Sequence, residues 1–213
     1  MKFRAFALAL GFALLPGLPA VSQDAGVSAA AAAPANVYNI EILVFRTTQA
    51  LGGAENWNAP GTRNFGTGDE TGNSSRQVGR FVASLNASQY QLTPLENKLR
   101  STGLYVPVAH VAWSQTASDW GTRAGFPVQK LGIAAEGLTG TVFLERGQYL
   151  HLGMSLAYAP TNPPAGLGAG PGSTFNLNES RRIKFYERNY YDHPGFGVIA
   201  LVTPAQGARP AGR

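Results

Sequence analysis

Alternation of apolar and polar residues with a period of two is the strongest constraint on this chain. Tyr38, Ile40, Ile42 and Val44 fall on one face of an extended segment, with Asn39, Glu41, Leu43 and Phe45 on the other. Residues 104–113 repeat the pattern, Val106, Val108 and Ala112 alternating with Pro107, Ala109 and Val111. Residues 138–158 read as a hairpin, with Leu138, Val142 and Leu144 on one arm and Leu150, Leu152, Met154 and Leu156 on the other. A two-residue Arg146-Gly147 turn would set Val142 against His151 and put the two apolar rows on opposite faces. A three-residue Glu145-Arg146-Gly147 loop, with Gly147 left-handed, sets Val142 against Leu150 and keeps the rows together, so it is the one expected. His151 then points outward, opposite Thr141 and beside Tyr149 and Phe143.

Residues 181–202 predict a second hairpin. Ile183 and Phe185 would point inward, while Pro194 and Gly195 take the central positions of a type II turn. Residues 196–202 (FGVIALV) form a buried strand. The one clear helix starts at Thr93-Pro94-Leu95-Glu96. Thr93 is the expected cap, Pro94 sits at the first helical position, and Glu96 completes a capping box. Leu95 and Leu99 share a face, Lys98 and Arg100 suit the C-terminal end, and Gly103 ends the helix. Residues 114–129 look irregular, with Trp120 and Phe126 as packing residues. At least six strands against one helix predict an α+β single domain, a largely antiparallel sheet with the Leu95/Leu99 helix packed on one face.

The remaining segments bound where such a domain works. Residues 1–20 carry Lys2 and Arg4, an apolar run, then Pro16-Gly17 and a small-residue exit, which is the order of a cleaved secretory leader. The run is shorter than the roughly 20 residues a bilayer span needs. Residues 21–35 read as a low-complexity linker, 36–204 as the folded domain and 205–213 as a flexible tail. Residues 51–80 read as a long loop anchored only by Trp57 and Phe65, and 160–172 as a Pro/Gly loop. The chain has no cysteine, hence neither a lipid-attachment thiol nor a disulfide. The expectation is a soluble periplasmic protein held together by its core alone. The net charge of +5 falls to +3 once Lys2 and Arg4 leave with the leader, too little for a nucleic-acid partner.

The catalytic inventory is thin. No cysteine nucleophile, zinc-protease helix, serine elbow, phosphate loop or SxxK stands in the sequence. His110, His151 and His193 lack the spacing of a metal site, and hydrogen-bonded or exposed histidines are expected. No two carboxylates are singled out, so no catalytic residue, metal or cofactor is assigned. An enzyme would need a convergent set such as Glu187, His151 and Asp192. The most specific surface is a basic-aromatic row, Arg182, Lys184, Tyr186, Arg188 and Tyr190, begun by Arg181. On one strand, alternate residues stand about 6.6 Å apart on one side. Such a rail offers phenol rings to sugar faces and guanidinium forks to carboxylates. A plain solvated strand face is the competing reading.

Four blocks in this order carry a family resemblance: YNIEILVFR (38–46), LENKLRSTGLYVPVAHVAWSQ (95–115), LTGTVFLERGQYLHLGMSLAY (138–158) and ESRRIKFYERNYYDHPGFGVIALVTP (179–204). Together they resemble the CsiV family of periplasmic peptidoglycan-binding proteins. The last block is the most specific, with paired arginines, a strand, and Tyr-x-Asp-His-Pro-x-Phe-Gly-Val. It departs from the family pattern at 185–190, where Phe-Tyr-Glu-Arg-Asn-Tyr replaces Gly-Glu-Leu-His-Tyr after the arginines. The resemblance implies a non-enzymatic protein that binds peptidoglycan and promotes its synthesis through an outer-membrane lipoprotein activator of a penicillin-binding protein. It implies no binding residues, which rest on the physical reading of the row. A wall hydrolase and a scaffold that touches only protein are the alternatives.

Overall fold

A computed structural model describes residues 36–49, 76–164, 166–167 and 169–205, all within one compact unit spanning 32–213. The leader, the linker, Trp57, Phe65 and the last eight residues lie outside the described residues. Among the described residues the chain runs β1 (Val37–Thr47), β2 (Phe81–Ser84), α1 (Thr93–Thr102), β3 (Tyr105–Thr116), β4 (Ser118–Asp119) and β5 (Phe126–Pro127). It continues with β6 (Leu138–Arg146), β7 (Leu150–Tyr158), β8 (Phe175–Arg182), β9 (Arg188–His193) and β10 (Phe196–Pro204).

The strands form two sheets where one was expected. The first has the order β2-β3-β1-β10-β9; the second has the order β4-β6-β7-β8, with β5 also on β6. Alternation explains both. Ile40, Ile42, Val44 and Trp113 of the first sheet share one buried cluster with Val142, Leu144, Leu152, Met154 and Leu156 of the second. Full burial of each such side chain is worth about 1.5–3 kcal/mol, and without disulfides this core carries the fold. The segment 114–129, expected to be irregular, holds the end of β3, the short strands β4 and β5 and the start of a 3-10 turn, whose Val128 and Leu131 join the same core.

The helix packs as predicted, on the other face of the first sheet. Leu43 and Leu201 are buried there with Leu92, and half-buried Leu95, Leu99 and Ile199 complete the patch. Gly103 ends the helix with φ 68°. The start differs. Leu92 is the cap residue and makes no side-chain cap, and Thr93 and Glu96 form no capping box. The Glu41 carboxylate on β1 takes that place, accepting the backbone N–H of Gln91 and of Leu92 at 2.8 Å each. Its charge and two oxygens satisfy what Thr93 would have had to.

The β6–β7 register also differs from expectation. Val142 faces Met154 and Arg146 faces Leu150, so the tip is residues 147–149. The ladder is longer because Glu145 and Arg146 are held extended from outside the hairpin. Glu145 accepts the Arg123 N–H, and Arg146 Nη1 donates to the Tyr38 hydroxyl at 2.6 Å. The shift is an even number of residues, so the apolar rows keep their faces. His151 is outward but opposite Glu145. Gly147 is not left-handed. In the β9–β10 turn, Gly195 also lacks the positive φ that a type II turn requires. Its lack of a side chain is needed for another reason: a Cβ there would lie 2.7 Å from the buried Phe175 ring.

Candidate functional site

The basic-aromatic row is not one strand. β8 ends at Arg182 in the second sheet, β9 begins at Arg188 in the first, and the chain turns between them. Tyr186 sits in that turn with φ 65°, a conformation uncommon for a bulky residue. Its N–H bonds the Val202 carbonyl at 3.0 Å. Phe185 is 40% exposed rather than inward, its ring stacked 5.8 Å from that of Tyr38. The crossing between sheets is the physical reason for the break, since one continuous strand cannot serve both.

The six residues therefore divide. Arg181, opposite core residue Leu152, pairs with Glu179, and its guanidinium lies 5.4 Å from the buried Tyr191 ring. The Glu179 hydrogen bond raises its pKa further. Arg182 lies on the other face of the sheet, opposite His151. Lys184 reaches Glu187 at 3.3 Å across the turn, both side chains well exposed, a pair of little energetic weight. Arg188 and Tyr190 stand on the edge strand of the first sheet, where the Tyr190 hydroxyl donates to Asp192 at 2.7 Å. Burial, and then the Asp192 bond, push the Tyr190 phenol pKa far up.

A different surface assembles around Arg182. Its guanidinium lies 3.4 Å from the centre of the Tyr149 ring. Its strand neighbour His151 packs 4.2 Å from the Trp120 ring. Trp120 is 50% exposed and Tyr149 42%, so both offer ring surface to solvent. The sequence made Trp120 a packing residue; the structure packs it against His151 and Gly147 and leaves half of it open.

Trp120 is also held in place. Its backbone N–H donates to the Arg146 carbonyl at 3.2 Å, and Thr122 donates from both its backbone and its hydroxyl to the Asp119 carbonyl. Glu145, with no exposed surface, anchors the end of this turn through the Arg123 N–H. Arg123 lies over the Phe143 ring at 5.5 Å, its Nε 4.0 Å from the second Glu145 oxygen. A hairpin tip ending in an aromatic and a tryptophan before a Gly-Thr turn were the only sequence signals for this arrangement.

A second cluster lies on the helix side of the first sheet. His110 Nε2 is 2.7 Å from Glu41, and Nδ1 is 2.7 Å from Glu96, which also binds Arg100 at 2.6 Å. The His110 and Glu41 side chains are only 8% and 7% exposed. Burial by itself would lower the His110 pKa, but the hydrogen bonds and charges of Glu41 and Glu96 outweigh it and raise the pKa. Burial pushes Glu96 up, and the bonds from Arg100 and His110 draw it below its ordinary value. Every one of these groups is engaged by another, so the cluster fastens α1 to β1 and β3 and holds no free base. A groove of about 400 Å3 beside Glu41 is lined by Asn39, Gln89, Gln91, Ser114 and Thr203, without a cation.

Glu187, His151 and Asp192 do not converge. Their partners are Lys184, Trp120 with the Tyr149 carbonyl, and Tyr190 respectively. No described helix is long and apolar enough to cross a membrane. A family model described as "Peptidoglycan-binding protein, CsiV" matches residues 14–205. No curated protein and no solved structure matches the chain.

Proposed function

We propose, since this chain belongs to the CsiV family, that it is a non-catalytic periplasmic protein that binds peptidoglycan. The observation that carries the reading is the family match across residues 14–205. The exposed surface at the β6–β7 tip supports it. Arg182, with Lys184 and Tyr186 in the turn that follows, presents cationic and phenolic groups to a polymer bearing carboxylates and sugar rings. Arg181, paired with Glu179, and Arg188 and Tyr190 on β9 lie outside this surface. Promotion of wall synthesis, through an outer-membrane lipoprotein activator of a penicillin-binding protein, is the downstream part of the same reading.

Co-sedimentation of residues 21–213 with purified sacculi, at low and moderate salt, tests it. Saturable pelleting that weakens with salt is expected, and the Arg182→Ala/Lys184→Ala double variant pellets less while remaining folded. A wild-type protein that stays in the supernatant at low salt would overturn the reading.

A further inference from the structure

We infer that the surface formed by Trp120, His151, Arg182 and Tyr149 takes the sugar backbone of the polymer rather than its peptides, by stacking pyranose rings on the two exposed aromatic faces. This rests on the wall-binding reading above and adds the ligand class and the residues that select it. Three observations carry it. Two large rings keep about half their surface in water and are linked into one row through His151 and Arg182. Each is immobilised from behind, Trp120 by His151 and Gly147, Tyr149 by the guanidinium of Arg182. Their ordering cost on binding is therefore already met. The four residues are also consecutive in space. Trp120 follows β4, His151 is on β7, Arg182 on β8 and Tyr149 at the tip. With sheet strands about 4.8 Å apart, this row has room for more than one ring in line.

The chemistry distinguishes the two parts of the polymer. Sugar rings offer flat C–H faces that match aromatic π-faces, and such contact is indifferent to salt. Peptide carboxylates have no such face and would be held only by Arg182 and Lys184, contacts that salt screens. The row sits on the outer face of the second sheet, and Glu145 and Arg123 beneath it fix the turn that carries Trp120.

The test uses peptide-free glycan strands released from sacculi by an amidase, with the freed peptides as a separate ligand, titrated against residues 21–213. Glycan strands are expected to bind with less salt dependence than intact sacculi, which add peptide carboxylates within reach of the cationic Arg182 and Lys184. Trp120→Ala and Tyr149→Ala should each weaken that binding about tenfold, with unchanged unfolding midpoints because both side chains are half exposed. Sacculi that pellet the protein while peptide-free glycan strands do not bind would overturn the glycan assignment and leave the wall-binding reading standing. Failure of both ligands would remove both. Glycan binding undiminished in the folded Trp120→Ala/Tyr149→Ala double variant would overturn this surface as its site.

Discussion

Nε2 of His110 on β3 lies 2.7 Å from Oε1 of Glu41 on the neighbouring strand β1, and the other ring nitrogen is equally close to Glu96 of α1. An ionised carboxylate offers only lone pairs, so the two acids together favour the doubly protonated imidazole, in which both ring nitrogens donate. With both N···O contacts direct, no metal fits between them. Glu41 meanwhile accepts the N–H groups of Gln91 and Leu92. One charged histidine thus ties a central strand to the helix and its entry segment.

The folded-state pKa of His110 lies above its ordinary 6.5. Its contribution to stability is complete below about pH 6.5 and fades as pH rises through the raised value. Glu96, held below its ordinary 4.5, contributes above that pH and loses its effect as acid passes the lowered value. Urea midpoints should therefore be highest at mildly acidic pH and fall on the alkaline side. His110→Gln should be less stable at pH 6 and lose the alkaline decline. An identical slope in the variant would show that another group is responsible.

Helix packing predicts an asymmetry between two leucines. Leu92 is 1% exposed beneath the helix start, whereas Leu99 is half-buried. Leu92→Ala should cost about 2–5 kcal/mol, and Leu99→Ala clearly less. Equal shifts in denaturation midpoint would contradict this packing.

Gly153 lies under the Phe143 ring so closely that a Cβ would come within 2.0 Å of it. Phe143 is itself buried, so the ring cannot swing clear freely. Gly153→Ala should destabilise by about 1–3 kcal/mol, and shortening the ring in a Phe143→Leu/Gly153→Ala double variant should recover part of it. Thermal unfolding of the three proteins decides the matter.

Glu145 holds the end of the turn that carries Trp120. Glu145→Ala removes the acceptor of the Arg123 N–H and the carboxylate facing the Arg123 guanidinium. The expected cost of leaving that N–H without its acceptor is about 1–3 kcal/mol, together with a change in Trp120 fluorescence. Unaltered emission and stability would show that the 119–123 turn holds itself.

What could be read from the residues, and what could not, follows from the range of the interactions. Alternation placed Ile40, Ile42 and Val44 on the core face and Glu41 and Leu43 on the helix face, because a strand's faces depend only on its own residues. The hairpin register was missed because Glu145 and Arg146 are held extended by Arg123 and Tyr38, residues distant in sequence. The helix cap was misplaced for the same reason, its acceptor lying about fifty residues earlier on β1. The row from Arg181 to Tyr190 reads as one strand because nothing local marks the turn; Tyr186 occupies a conformation its side chain does not favour. The aromatic pair was not paired at all, since Trp120 and Tyr149 meet only through His151 and Arg182.

β1 sits at the middle of its sheet, flanked by β3 on one side and by the last strand, β10, on the other. The earliest strand thus waits for the final one before its hydrogen bonds and its core face are complete. Such a topology closes late, because distant segments must meet before burial rewards them. A nascent chain still missing residues 196–204 lacks the strand that β1 and β9 both pair with. The price of placing the first strand at the centre is thus a chain that stays extensible until its last strand has been made.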